Sequence, residues 1–183
     1  AQGTNTRLMR FADYAIPERG WWQEDSRDDL SVPLGPLAAS HKAMKRSLGK
    51  GGANHALIVG QTGSGKSKLL HALILGLCMR YSPVELEVYL VDFKGGVEFK
   101  PYAKHELPHA RVVAIDSEPE FGLSVLDALV REQRRREELF RGAGVQNITE
   151  YEEQTHRDLS RVVLIVDEFQ VMFREEGLVA RRC

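Results

Sequence analysis

From His55 onward the chain alternates short apolar runs with longer amphipathic ones. The runs "HALIVG" (55–60), "LEVYLVD" (86–92), "ARVVAID" (110–116) and "RVVLIVDE" (161–168) have strand length and few polar interruptions, and the last three are rich in β-branched residues. Between them, "KSKLLHALILGLCMR" (66–80) has helical length with apolar residues on most faces. A second predicted helix covers residues 121–140, where Phe121, Val125, Ala128 and Leu129 make one stripe before the charged "REQRRREE" (131–138). Continuous apolar strands separated by helices predict a parallel sheet covered on both faces, an α/β architecture.

Residues 1–50 are weakly periodic. "IPERGWWQEDSRDDLSVPLGP" (16–36) interleaves Pro17, Pro33 and Pro36 with an acidic cluster and reads as loop plus a short strand. Trp21 and Trp22 read as packing anchors, and "SLGKGGAN" (47–54) as a glycine-rich turn. The predicted organisation is a lead-in segment over 1–50, with short strands and loops, followed by the α/β domain over 51–183.

The most specific chemistry lies between the first α/β strand and its helix. "GQTGSGKS" (60–67) matches G-x-x-x-x-G-K-S in the strand–loop–helix context that a phosphate-binding loop requires. Glycines at 60, 63 and 65 permit backbone angles that turn successive N–H groups toward phosphate oxygens. The helix start presents its positive end to the same anion. Gly60, Gln61, Thr62, Gly63, Ser64, Gly65, Lys66, Ser67 and Lys68 are therefore the predicted nucleotide-binding residues. Lys66 is assigned to the β- and γ-phosphates of ATP, and the Ser67 hydroxyl to Mg²⁺.

Two strands deliver an aspartate at their C-terminal ends, Asp92 and Asp167, and their next residues distinguish them. Asp167 is followed by Glu168, a carboxylate suited to activating the attacking water, whereas Asp92 is followed by Phe93, Lys94 and two glycines. Asp167 is the predicted Mg²⁺ residue, with Ser67; Glu168 and Lys66 are the predicted catalytic residues of a Mg²⁺-dependent ATPase.

Three segments resemble the FtsK/SpoIIIE family of DNA-pumping ATPases: "VDFKGGVEFKPYAKHELPHA" (91–110), "REQRRREELFRGAGVQNITEYEEQ" (131–154) and "VVLIVDEFQVMF" (162–173). The resemblance covers residues 54–173, about two thirds of the chain. It implies a RecA-like P-loop NTPase, a homo-oligomeric ring, and a motor most suited to moving double-stranded DNA. Relatives in secretion systems engage proteins instead, and the residues do not separate these cargoes. A third reading is a nucleotide-binding scaffold without turnover, against which the intact Lys66, Asp167 and Glu168 count. The absence of an LSGGQ-like segment argues against an ABC-type ATPase.

The resemblance also places Asp92 and Lys94 near the nucleotide pocket, in a supporting or inter-subunit role or, for Asp92, a capping one. Phe93 stands where the family usually has proline. Gln170 departs from its usual alanine, and reads either as a helix-start residue or as a contact to the γ-phosphate. The arginines at 134–136 read as a solvated face or as part of a subunit interface, with no residue assignable as an arginine finger. His105 and His109 read as surface or turn positions. The family's sheet carries a further strand after the segment that ends here, so the sequence is expected to be a fragment that hydrolyses ATP poorly alone.

Composition adds little. Lys plus Arg number 25 against 26 Asp plus Glu, a balance that neither demands nor excludes nucleic acid. Cys78 and Cys183 offer no disulfide framework or metal spacing, which points to a reducing, cytoplasmic setting. No apolar run reaches the ~20 residues that span a bilayer, although a longer parent could be membrane-anchored.

Overall fold

The run "LEVYLVD" forms the middle of a three-stranded parallel sheet, β3 (Leu86–Asp92), between β4 (Ala110–Ala114) and β5 (Arg161–Asp167). The structure, a computed structural model, describes residues 10–36, 43–49, 54–93, 95, 97–115 and 119–173. Its chain forms two compact units, Ala1–Ser82 and Pro83–Cys183.

In the second unit, paired neighbours on both sides make β3 the most buried strand, with Leu86, Val88 and Leu90 wholly inaccessible. Period-two alternation puts Tyr89, Val91 and Phe93 on one face, beside their partners Val112, Ala114, Leu164 and Val166. These residues pack with Leu123, Val125, Leu126 and Leu129 of α3 (Pro119–Ala143), the helix predicted from the stripe at 121–140. Gly122 is what lets α3 approach: a Cβ there would lie 2.2 Å from the Phe93 ring. The short α2 (Lys100–Lys104) follows β3 and turns Tyr102 inward against Phe99.

Helix α4 (Ile148–Thr155) starts at Asn147, whose side chain accepts the Glu150 N–H. It packs Tyr151 against Phe140 of α3. Arg136 ties α3 to the entry of β5, donating to the Ser160 carbonyl (2.6 Å) and to Glu132 (2.7 Å).

In the first unit, β1 (Leu30–Pro36) and β2 (Ala43–Leu48) form an antiparallel pair with a bulge between Pro33 and Gly35, where the prolines and a positive φ of 130° interrupt the ladder. Helix α1 (Lys66–Arg80) lies along β1, and Gly76 meets Val32 closely enough that a Cβ would come within 2.5 Å. The Tyr81 hydroxyl accepts the Ser31 N–H (2.7 Å), while Trp22 donates through Nε1 to the Cys78 carbonyl (3.0 Å).

The predicted strand at 55–60 is not formed. Residues 54–60 join neither sheet among the described residues, and Leu57 and Val59 are 70% and 84% exposed. Apolar composition makes a segment suitable for a strand, but a strand exists only where another backbone pairs with it. A second difference is β2, whose mixed sequence "AMKRSL" carries no clear alternation.

Candidate functional site

The phosphate-loop motif occupies the turn that leads into α1. Ser64 N–H donates to the Gln61 carbonyl (3.0 Å), closing a four-residue turn with Thr62 and Gly63 at its centre. Gly63 has φ 83°, the left-handed value that the third residue of a type II turn requires. Gly65 has φ 95° and immediately precedes α1, whose first backbone bond runs from Leu69 N–H to the Gly65 carbonyl (3.0 Å). Gly60 serves a different purpose: a Cβ there would lie 2.3 Å from Ser64 Oγ. The three glycines thus permit two left-handed turns and one close approach.

Residues Gly60 to Ser64 and Lys68 are exposed, while Gly65, Lys66 and Ser67 are half-buried at the start of the helix. This is a glycine-rich turn at the positive end of a 15-residue helix, a polarity that suits an anion.

The acidic residues gather at the C-terminal ends of two neighbouring strands. Asp92 and Asp167 are direct partners in the parallel β3–β5 register, both on the face opposite Phe93, and only 1% and 4% exposed. The Asp167 carboxylate accepts the Glu168 N–H (3.0 Å), and its carbonyl accepts the Phe93 N–H (3.5 Å). Asp92 Oδ2 accepts the Glu98 N–H (3.4 Å), so it braces the loop that leaves β3. Lys94 lies outside the described residues.

Beyond β5 the chain turns sharply. Glu168 adopts φ 53°, uncommon for a residue with a side chain. A 3₁₀ turn over Phe169–Phe173 follows, closed by Val171 N–H on the Glu168 carbonyl (3.0 Å) and seated by buried Met172. Gln170 stands near the start of this turn, as the helix-start reading held, and its Nε2 donates to Glu168 Oε2. The sequence signals neither this contact nor the Asp92–Asp167 register, because both depend on how strands and turns meet. The adjacency of Asp167, Glu168 and Gln170 is their only trace in it.

Among the described residues no group of three or more His, Cys, Asp or Glu could hold a metal by itself. A magnesium ion here would need phosphate oxygens or water as further ligands, which is how Mg²⁺ commonly binds beside nucleotides. Asp167, buried in the second unit, and Ser67, half-buried in the first, each carry a hard oxygen donor of the kind Mg²⁺ prefers.

The arginine run has local work. Arg135 donates twice to Glu132 (2.7 Å each), and Arg136 shares the same carboxylate. Arg135 first, then Arg136, draw the Glu132 carboxyl down to about 2. His105 and His109 both lie in turns, but His109 is buried, and its carbonyl accepts the Val88 N–H (2.8 Å) at the β3–β4 junction. Among the described residues no helix is long and apolar enough to cross a membrane.

A profile of the FtsK/SpoIIIE family matches residues 16–180. The ESX-4 secretion system protein EccC4 of Mycobacterium tuberculosis is 36% identical over 181 residues, covering 92% of this chain and 14% of its own length. The ESX secretion system protein YukB of Bacillus subtilis is 30% identical over 166 residues, covering 87% of this chain and 11% of its own. Among solved structures, the cytoplasmic domain of the Thermomonospora curvata type VII secretion ATPase EccC superposes with a TM-score of 0.71 at 28% identity, over 92% of this chain and 20% of that one. The chain thus spans a small part of each relative.

Proposed function

The chain belongs to the FtsK/SpoIIIE family, and on that footing we propose that it is an ATP-hydrolysing motor module whose cargo is protein. The observation that carries the nucleotide chemistry is the Gly60–Ser67 loop, with left-handed Gly63 and Gly65 at the start of α1. ATP would bind with its phosphates against the loop N–H groups and Lys66. Ser67 and Asp167 would hold Mg²⁺, which neutralises phosphate charge when bound.

Glu168 orients the attacking water and takes its proton. Lys66 supplies a positive charge to the oxygens of the γ-phosphate, where negative charge must be stabilised during transfer. We assign turnover to a homo-oligomeric ring on the cytoplasmic side, in keeping with the family resemblance.

The cargo reading moves away from the DNA expected from the sequence. The relatives named above are secretion-system proteins, at up to 36% identity across most of this chain, and the near-neutral composition offers no counterweight in favour of nucleic acid. The test is ATP hydrolysis by the full-length protein with increasing amounts of either a candidate secreted protein or duplex DNA. Stimulation by the protein and indifference to DNA is the expected outcome. Stimulation by DNA alone would restore the original cargo.

A further inference from the structure

Resting on that hydrolytic reading, we infer that Gln170 is a positioning residue for Glu168. The contact is the hydrogen bond from Gln170 Nε2 to Glu168 Oε2, and the surrounding backbone fixes both partners. Glu168 N–H is held by the Asp167 carboxylate (3.0 Å) and the Glu168 carbonyl by Val171 N–H (3.0 Å), so the left-handed turn at Glu168 is tied on both sides. Gln170 is carried by the 3₁₀ turn, which buried Met172 anchors in the cluster of Val91, Phe93, Ala114 and Val125.

The chemistry of the pair suits a base. A glutamate side chain rotates about three bonds, and a base that wanders spends little time aligned with its water. One amide N–H on one carboxylate oxygen restrains that rotation and leaves lone pairs to receive a proton. The amide is neutral, so it orients the carboxylate without pairing off its charge as lysine or arginine would. It has no proton-accepting task of its own, which makes Gln170 a positioning residue and leaves Glu168 as the base.

The experiment compares the full-length protein with its Gln170→Leu and Gln170→Glu variants in steady-state ATP hydrolysis, melting temperature being followed alongside. The glutamate variant is nearly isosteric but replaces the donor by a carboxylate that repels Glu168. Both variants are expected to lose about tenfold in kcat while KM for ATP stays within about twofold, with Gln170→Glu at least as impaired as Gln170→Leu. Unchanged kcat in Gln170→Glu would overturn the inference, as would a loss confined to KM.

The contact has its own test by NMR, independent of turnover. The Gln170 side-chain amide resonance should move to a solvent-exposed position in Glu168→Ala; no movement would overturn the assignment. A wild type without turnover would instead remove the hydrolytic reading on which the inference rests, and the resonance would still report whether the two side chains meet.

Discussion

Cys78 lies on the buried side of α1, its carbonyl engaged by Trp22 and the residue only 6% exposed. Burial among apolar neighbours disfavours the thiolate and pushes its pKa up to about 12. Since the thiolate is the reactive form, Cys78 should resist alkylation at neutral pH. With Cys183→Ser leaving a single thiol, iodoacetamide should label the native chain slowly and the urea-unfolded chain fully. Rapid labelling of the native chain would place Cys78 outside the core. At the same scale, Gly60, Gly63 and Gly65 each have a separate reason to be glycine, and only the motif spacing betrays this in the sequence.

At the scale of elements, α3 and β3 meet through Gly122 and Phe93. A methyl group at 122 would enter the Phe93 ring at 2.2 Å, so helix and sheet must separate or the ring must leave its pocket. Gly122→Ala should cost roughly 1–3 kcal/mol by overpacking, outweighing its gain in helix propensity. Phe93→Leu in the same chain should recover part of that loss, read from urea unfolding midpoints. A Gly122→Ala protein as stable as wild type would mean that the ring is not held there.

This packing shows why the elements differ in legibility. The runs at 86–92 and 161–167 announced β3 and β5 because strands of a parallel sheet are apolar over most of their length, although β5 is only half-buried up to Asp167. The segment at 55–60 is also apolar yet joins neither sheet among the described residues, since pairing depends on a neighbouring backbone that composition does not describe. Likewise, Asp92 and Asp167 each read as strand-end acids, but their adjacency follows from a register across some seventy residues of chain. The "RRR" run left a solvated face and an interface open; the structure ties Arg136 to the Ser160 carbonyl and Glu132. Arg136→Ala should therefore lower the melting temperature, and a loss of turnover at unchanged stability would contradict that assignment.

At the scale of the whole molecule, each compact unit carries one half of the proposed chemistry: the phosphate loop in Ala1–Ser82, and Asp167 with Glu168 in Pro83–Cys183. The decisive measurement is Mg²⁺-dependent ATP binding and steady-state hydrolysis by the full-length protein, beside Lys66→Ala and Glu168→Gln. We predict turnover in the wild type and losses of about 10² or more in both variants. Glu168→Gln should still bind ATP, while Lys66→Ala binds it more weakly. Equal turnover in wild type and Lys66→Ala would contradict the account, and a folded wild type that binds ATP without hydrolysing it would establish the scaffold instead.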